Sequence, residues 1–153
     1  MATTWHLTID CADTNRLVRF WCDALGYVPE PAPEGRATWL DYWRAAGVPD
    51  EELEGAEEGS GAIIDPQGIG PRIWFQQVPE PKAGKNRLHL DLYPTGRDKA
   101  LPMQRRIEIV ETKVAELVML GADVERRTRH DDPHDPVYFV VMHDPEGNEF
   151  CVG

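Results

Sequence analysis

The sequence predicts an α+β protein built from two copies of one βαβββ module, each laying a helix on a small mixed sheet. Three matched landmarks carry this expectation. His6-Leu7-Thr8-Ile9-Asp10 matches His89-Leu90-Asp91-Leu92-Tyr93, Leu25-Gly26 matches Leu120-Gly121, and the turn Asp65-Pro66-Gln67-Gly68 matches Asp144-Pro145-Glu146-Gly147. At 153 residues the chain fits a single domain (1–153) made of two modules, 1–79 and 86–153, that share a core.

The first module opens with Thr4 to Cys11, where Trp5, Leu7, Ile9 and Cys11 alternate with His6, Thr8 and Asp10 at the period of a strand. Asp13 can cap a helix whose apolar positions are Leu17, Phe20, Trp21, Ala24 and Leu25, and Gly26 stands where a C-terminal glycine belongs. Ala37 to Arg44 reads as a second strand, with aromatics on both faces. Residues 49–60 form an acidic, Gly-rich insertion; Asp50, Glu51, Glu52, Glu54, Glu57 and Glu58 make it a solvated loop. Ala62 to Asp65 and Arg72 to Val78 supply two further short strands.

The order then repeats. Arg87 to Tyr93 reads as a strand, and Gln104 to Leu120 as a helix with Ile107, Val110, Val114, Leu117 and Val118 on one stripe. Val124 to Thr128, Val137 to His143 and Glu149 to Val152 complete the module. Leu7 and Ile9 should pack under the first helix, and Leu88, Leu90 and Leu92 under the second. The opposite face then carries His6, Thr8 and Asp10 from one strand and Arg87, His89, Asp91 and Tyr93 from the other. Burying such groups without partners costs several kcal/mol each, so a face lined this way points to a ligand cleft shared by the modules.

Composition narrows the function. Lys plus Arg number 16 against 27 Asp plus Glu, a net charge of -11, which opposes nucleic acid and anionic membrane surfaces. Cys11, Cys22 and Cys151 are odd in number and form no CxxC pair, as suits a reduced cytoplasm. No apolar run reaches the roughly 20 residues that span a bilayer, and no signal peptide is expected.

Three longer runs resemble a known family. They are Ile9-Asp10-Cys11-Ala12-Asp13 with Phe20-Trp21 and Leu25-Gly26-Tyr27; Phe75-Gln76-Gln77-Val78-Pro79-Glu80-Pro81-Lys82 continuing through Lys85-Asn86-Arg87-Leu88-His89-Leu90-Asp91; and Asp144-Pro145-Glu146-Gly147-Asn148-Glu149-Phe150-Cys151. They resemble the glyoxalase-like domain proteins of the vicinal oxygen chelate superfamily, which includes glyoxalase I, extradiol dioxygenases and bleomycin-resistance proteins. The resemblance implies paired modules forming a cupped mixed sheet with helices outside, around a small-molecule site, usually in a homodimer. It identifies the superfamily well and the reaction poorly.

The resemblance also implies metal ligands. His6, seven residues before the capping Asp13, and His89 in Arg87-Leu88-His89-Leu90-Asp91-Leu92 match the family's strand-borne ligands. Cys151 stands where the family places a metal-binding Glu, and module symmetry pairs it with Gln76, the third candidate ligand. Zinc, nickel, manganese or iron are the metals such a set would take. Glyoxalase-type isomerisation needs a carboxylate at the metal, and extradiol cleavage needs two histidines and a carboxylate on iron. Neither set is complete, so Glu149 and Asp91 are the candidate catalytic carboxylates. Thr8, Asp10, Arg87, Tyr93, Trp74 and Cys151 are the candidate ligand-binding residues. Two readings follow: a dimeric metalloenzyme acting on a carbonyl or vicinal-oxygen substrate, or a metal-free protein that binds or sequesters a small molecule. The run from His130 to Pro136 is read as a surface loop, His143 as structural, and the Lys82, Lys85, Arg87 cluster as a lure for an anion or a partner for surface acids.

Overall fold

The computed structural model describes residues 3–53, 59–132 and 136–153. Glu54, Glu57 and Glu58 of the acidic insertion, and Pro133, His134 and Asp135 of the second loop, lie outside the described residues. The chain divides into two compact units, Met1–Pro81 and Lys82–Gly153.

In the first unit β1 (Leu7–Cys11) leads into α1 (Thr14–Leu25), followed by β2 (Val28–Pro29), α2 (Trp39–Ala45), a 3-10 turn at Asp50–Glu52, β3 (Ala62–Ile64) and β4 (Ile73–Gln77). The sheet order is β1-β4-β3-β2, with β1 parallel to β4 and the other pairs antiparallel. Asp13 caps α1: its carboxylate accepts the Arg16 amide at 3.0 Å, satisfying one of the helix's orphan donors. Gly26 ends the helix in the left-handed region at φ 71°. Leu17, Phe20, Trp21 and Ala24 form the buried face of α1 and pack on the sheet, where Ala62, Ile63, Ile73 and Phe75 are buried. Each large side chain so buried contributes about 1.5–3 kcal/mol relative to an exposed one.

In this unit one element is of a different kind from the sequence expectation. Ala37 to Arg44 is not a strand; most of it is helix α2, and Val28–Pro29 takes the place of the module's second strand at the sheet edge. The reason is local. Thr38 caps the helix by accepting the Asp41 amide at 3.0 Å, and Trp39, Tyr42 and Trp43 stand at i, i+3 and i+4, where helical geometry brings the rings together. Trp39 and Trp43 stack at 5.6 Å and Trp39 meets Tyr42 edge-on at 5.5 Å. The Trp39 indole N–H also donates to the Glu30 carbonyl at 2.8 Å, tying α2 to the end of β2.

The second unit repeats the plan with β5 (Asp91–Leu92), α3 (Met103–Met119), β6 (Asp123–His130), β7 (Val137–His143) and β8 (Glu149–Val152). Its order, β5-β8-β7-β6, again puts the first strand parallel to the last. Val110, Val114 and Leu117 bury one stripe of α3, whereas Val118, expected on that stripe, is 46% exposed. The strand expected over Arg87 to Tyr93 shrinks to Asp91–Leu92, and Leu88, expected in the core, is 79% exposed. Leu92 alone of the three leucines is fully buried. His130 ends β6 and so belongs to a strand rather than a loop.

The two matched turns fold alike. The Asp65 carboxylate accepts the amides of Gln67, Ile69 and Gly70, and the Asp144 carboxylate accepts those of Glu146 and Asn148. In each, the turn glycine, Gly68 or Gly147, donates its amide at 2.9 Å to the carbonyl of the leading aspartate, with φ of 69° and 83°. Among the described residues no helix is long and apolar enough to cross a membrane.

Candidate metal and ligand site

Strand register decides which polar side chains meet. In the first unit Thr8 lies opposite Trp74 and Asp10 opposite Gln76; in the second Asp91 lies opposite Cys151. With Gln76 matched to Cys151, Asp91 therefore corresponds to Asp10. His89 then corresponds to Thr8 and not to His6, as the sequence match suggests. His6 stands two residues earlier, just before Leu7, whose amide bonds the Arg72 carbonyl at 3.0 Å. Its charge acts on Glu30, which is held below the ordinary carboxylate range chiefly by hydrogen bonds from Arg72. Gln76 lies four strand positions further along, about 13 Å at 3.3 Å per residue. The first unit thus does not bring His6 and Gln76 together.

The second unit does assemble donors. His89, Asp91 and Cys151 each offer a ligand atom, all within 4.8 Å of one another. His89 Nε2 lies 3.6 Å from Asp91 Oδ1, and His89 Nδ1 lies 4.0 Å from Glu149 Oε1. Two donors sharing an ion tetrahedrally at about 2.1 Å stand about 3.4 Å apart, so the spacing suits a small divalent cation. The chemistry suits one too: imidazole, carboxylate and thiol together match zinc and other borderline ions. Burial comes from the partly covered β8 side; His89 and Asp91 remain open to solvent.

Electrostatics set the resting state of this group. The Cys151 thiol is pushed up to about 11, first by burial and then by the Asp91 carboxylate. Glu149, 13% exposed, is held below its ordinary value by the Lys85 ammonium that bonds its Oε2, with His89 and His143 adding to the effect. Of the basic cluster Lys82, Lys85 and Arg87, Lys85 thus serves as an acid's partner. Tyr93 hydroxyl reaches Asp91 Oδ2 at 3.5 Å, and the Arg97 guanidinium lies 4.9 Å from the Tyr93 ring. Arg87 is exposed.

The ligand candidates of the first unit lie elsewhere. Trp74 lines an open cavity of about 520 Å³ with Asp13, Thr14, Ser60, Gly61 and Gln77. Thr14 hydroxyl donates to the Phe75 carbonyl at 3.5 Å, and both residues line the cavity. Thr8 and Asp10 are exposed on β1 and do not line it. The sequence reading missed Lys85 as the partner of Glu149, and missed that Asp91 faces Cys151. Both depend on how far the loop before β5 runs before pairing starts, which the alternation of Arg87 to Tyr93 does not reveal.

Residues 6–153 match the family model described as Glyoxalase-like domain, and the chain belongs to that family within the vicinal oxygen chelate superfamily. Comparison with curated proteins gave no match. Among solved structures, the fold is similar to a glyoxalase/bleomycin resistance protein/dioxygenase family enzyme from Burkholderia phytofirmans, at 14% identity and TM-score 0.56, covering 96% of this chain and 94% of that one. It is also similar to a mutant of the fosfomycin resistance protein FosX from Listeria monocytogenes in complex with Mn(II) and 1S,2S-dihydroxypropylphosphonic acid. That similarity has 10% identity and TM-score 0.58, with 99% and 89% coverage. FosX from Mesorhizobium loti matches at 13% identity and TM-score 0.51, over 99% and 91% of the two chains.

Proposed function

We propose that this chain is a metal-dependent small-molecule protein that acts on a carbonyl or vicinal-oxygen compound, with His89, Asp91 and Cys151 as its own contribution to the metal. The observation that carries the reading is the convergence of those three donors within 4.8 Å on β8 and the segment leading through β5. A bound divalent ion would act as a Lewis acid toward substrate oxygens. The Mn(II) in the similar FosX complex supports a metal on this fold.

The chain's residues would divide the remaining work. His89 would supply an imidazole nitrogen donor, and Asp91 a carboxylate that also receives the Tyr93 hydroxyl. Glu149 is a carboxylate whose pKa Lys85 lowers further, which suits it to orient a substrate hydroxyl or His89 as an anion. A carboxylate that abstracts a proton works best with a raised pKa, so Glu149 in this state is a weak base. Zinc, nickel, manganese and iron are the ions to test.

A second reading, metal-free binding or sequestration of a small molecule, is favoured by one observation: the Cys151 thiol, up to about 11, rests protonated where the family carries a carboxylate. The experiment is elemental analysis of untagged protein purified without chelator, for the wild type and for His89→Ala, Cys151→Ser and His6→Ala. Metal lost from the first two and kept by the third supports the set within the second unit. Loss from His6→Ala as well would overturn a set made of second-unit residues alone, and absence of metal from the wild type after metal addition and dialysis would overturn the metal reading in favour of the binder.

A further inference from the structure

We infer that the second unit carries another divalent-cation site, formed by Glu125, His143 and Glu149 on β6, β7 and β8, separate from the His89, Asp91, Cys151 group. The three residues offer ligand atoms that all lie within 4.8 Å of one another, and His143 Nε2 is 3.5 Å from Glu125 Oε2. That separation is close to the roughly 3.4 Å expected of two donors on one small cation. Two carboxylates and an imidazole suit zinc or manganese.

The fold explains how residues from three strands converge. His143 and Glu149 flank the Asp144-to-Asn148 turn and pair directly across β7 and β8. In a regular ladder Glu125 would lie opposite Val141 and only diagonal to His143, since Asp123 is the residue opposite His143. The register slips between Val124 and Arg126, so Glu125 is the extra residue of a β-bulge, a device that re-aims one side chain. Its two oxygens are used differently: Oε1 accepts from Arg126 at 3.4 Å, while Oε2 is turned to His143. All three side chains are partly covered, Glu149 most of all.

Lys85 is the competitor. It bonds Glu149 Oε2, leaving Oε1 toward His89, and its ammonium opposes a cation at Glu149. The Lys85 side chain is 68% exposed, so it can leave for solvent when a cation arrives. A resting Lys85–Glu149 pair that yields to a divalent ion follows.

The test is zinc titration of chelator-stripped, full-length protein against a chromophoric chelator, read as stoichiometry and affinity. Two zinc ions per chain are expected. Glu125→Gln and His143→Ala should each remove or weaken one site at least tenfold and leave the other, and Lys85→Ala should tighten that same site severalfold. Glu125→Gln keeps side-chain size on a solvent-facing bulge, and circular dichroism checks that both variants are folded. Unchanged stoichiometry and affinity in Glu125→Gln and His143→Ala overturn the inference and leave His143 and Glu125 an ion pair. A single zinc lost only in His89→Ala overturns it too while sustaining the first site, and loss confined to Glu125→Gln and His143→Ala sustains it while the first site fails.

Discussion

Asp91 and Cys151 lie directly opposite each other across the parallel β5–β8 pair, the same relation that Asp10 and Gln76 hold across β1–β4. The consequence is a thiol beside a carboxylate. Burial and the Asp91 charge together raise Cys151 to about 11, so at pH 7.5 the metal-free protein holds roughly one thiolate in a few thousand. Iodoacetamide should therefore modify Cys151 slowly near neutrality and faster as pH rises toward 11. Asp91→Asn removes the second cause and should speed alkylation severalfold, while burial keeps the thiol above its ordinary 9.0. Peptide mass spectrometry, which separates Cys151 from Cys11 and Cys22, reads the result; equal rates in wild type and Asp91→Asn would show that the carboxylate does not act on the thiol.

Glu30 and Arg72 join the end of β2 to the approach to β4 through two hydrogen bonds of 2.7 Å each. Arg72 lowers the Glu30 pKa in the folded protein, with Ser60 and His6 adding smaller effects against a burial cost. A carboxylate whose folded pKa is depressed stabilises above its unfolded value, near 4.5, and loses that contribution as pH falls through the folded value. Glu30→Gln should cost about 1–2 kcal/mol at pH 7, a bidentate pair discounted for partial exposure. The difference between wild type and variant should shrink as pH drops below 4.5 in urea unfolding; a gap constant across that range would refute the ion-pair account.

Much of this fold is legible because its signals are local. The Asp13 cap, the Gly26 stop and the two aspartate-led turns each act within a few residues and are present as expected, whereas the strand expected over Thr4 to Cys11 starts only at Leu7, and Trp5, expected on its apolar face, is 67% exposed. Ala37 to Arg44 departs from the expected strand because its aromatics fit a strand by propensity, while Thr38 and the 39, 42, 43 spacing fit a helix by geometry. Leu88 and the extent of β5 depart from expectation because alternation does not encode where pairing stops. The candidate site was harder. Asp91 opposite Cys151 follows from register, and Glu125 beside His143 follows from a bulge; neither is encoded as a spacing. His143 facing Glu149 could have been read from the symmetric flanks of the Asp144 turn.

Thr38 is the residue that turns an aromatic, strand-like run into α2. Its hydroxyl accepts the Asp41 amide at 3.0 Å, and Asp41 itself adds an acidic side chain to the first turn. Thr38→Ala should destabilise the protein by about 1 kcal/mol, the usual cost of losing such a cap. Thr38→Asp should restore it, because a carboxylate accepts the same bond and favours the helix N-terminus. Urea denaturation of the three proteins makes the comparison, and an Ala variant as stable as the wild type would mean that ring packing alone holds α2.

Gly61 sits between the acidic insertion and β3, where it lines the cavity beside Trp74. Its φ is +74°, and a methyl group there would meet Thr14 Cγ2 at 2.9 Å and the Phe75 carbonyl oxygen at 3.1 Å. Gly68 has a similar φ of +69° with nothing within 4 Å. Alanine at either position bears the left-handed backbone cost of about 1–2 kcal/mol. Only Gly61→Ala also presses on the backbone of β4, so it should be the more destabilising by at least about 1 kcal/mol. The extra strain should vanish in part in Gly61→Ala/Thr14→Ser, which removes the Thr14 methyl and leaves the Phe75 contact. Denaturation curves for these variants give the differences directly, and a Gly61→Ala cost no greater than that of Gly68→Ala would show that β4 yields without strain.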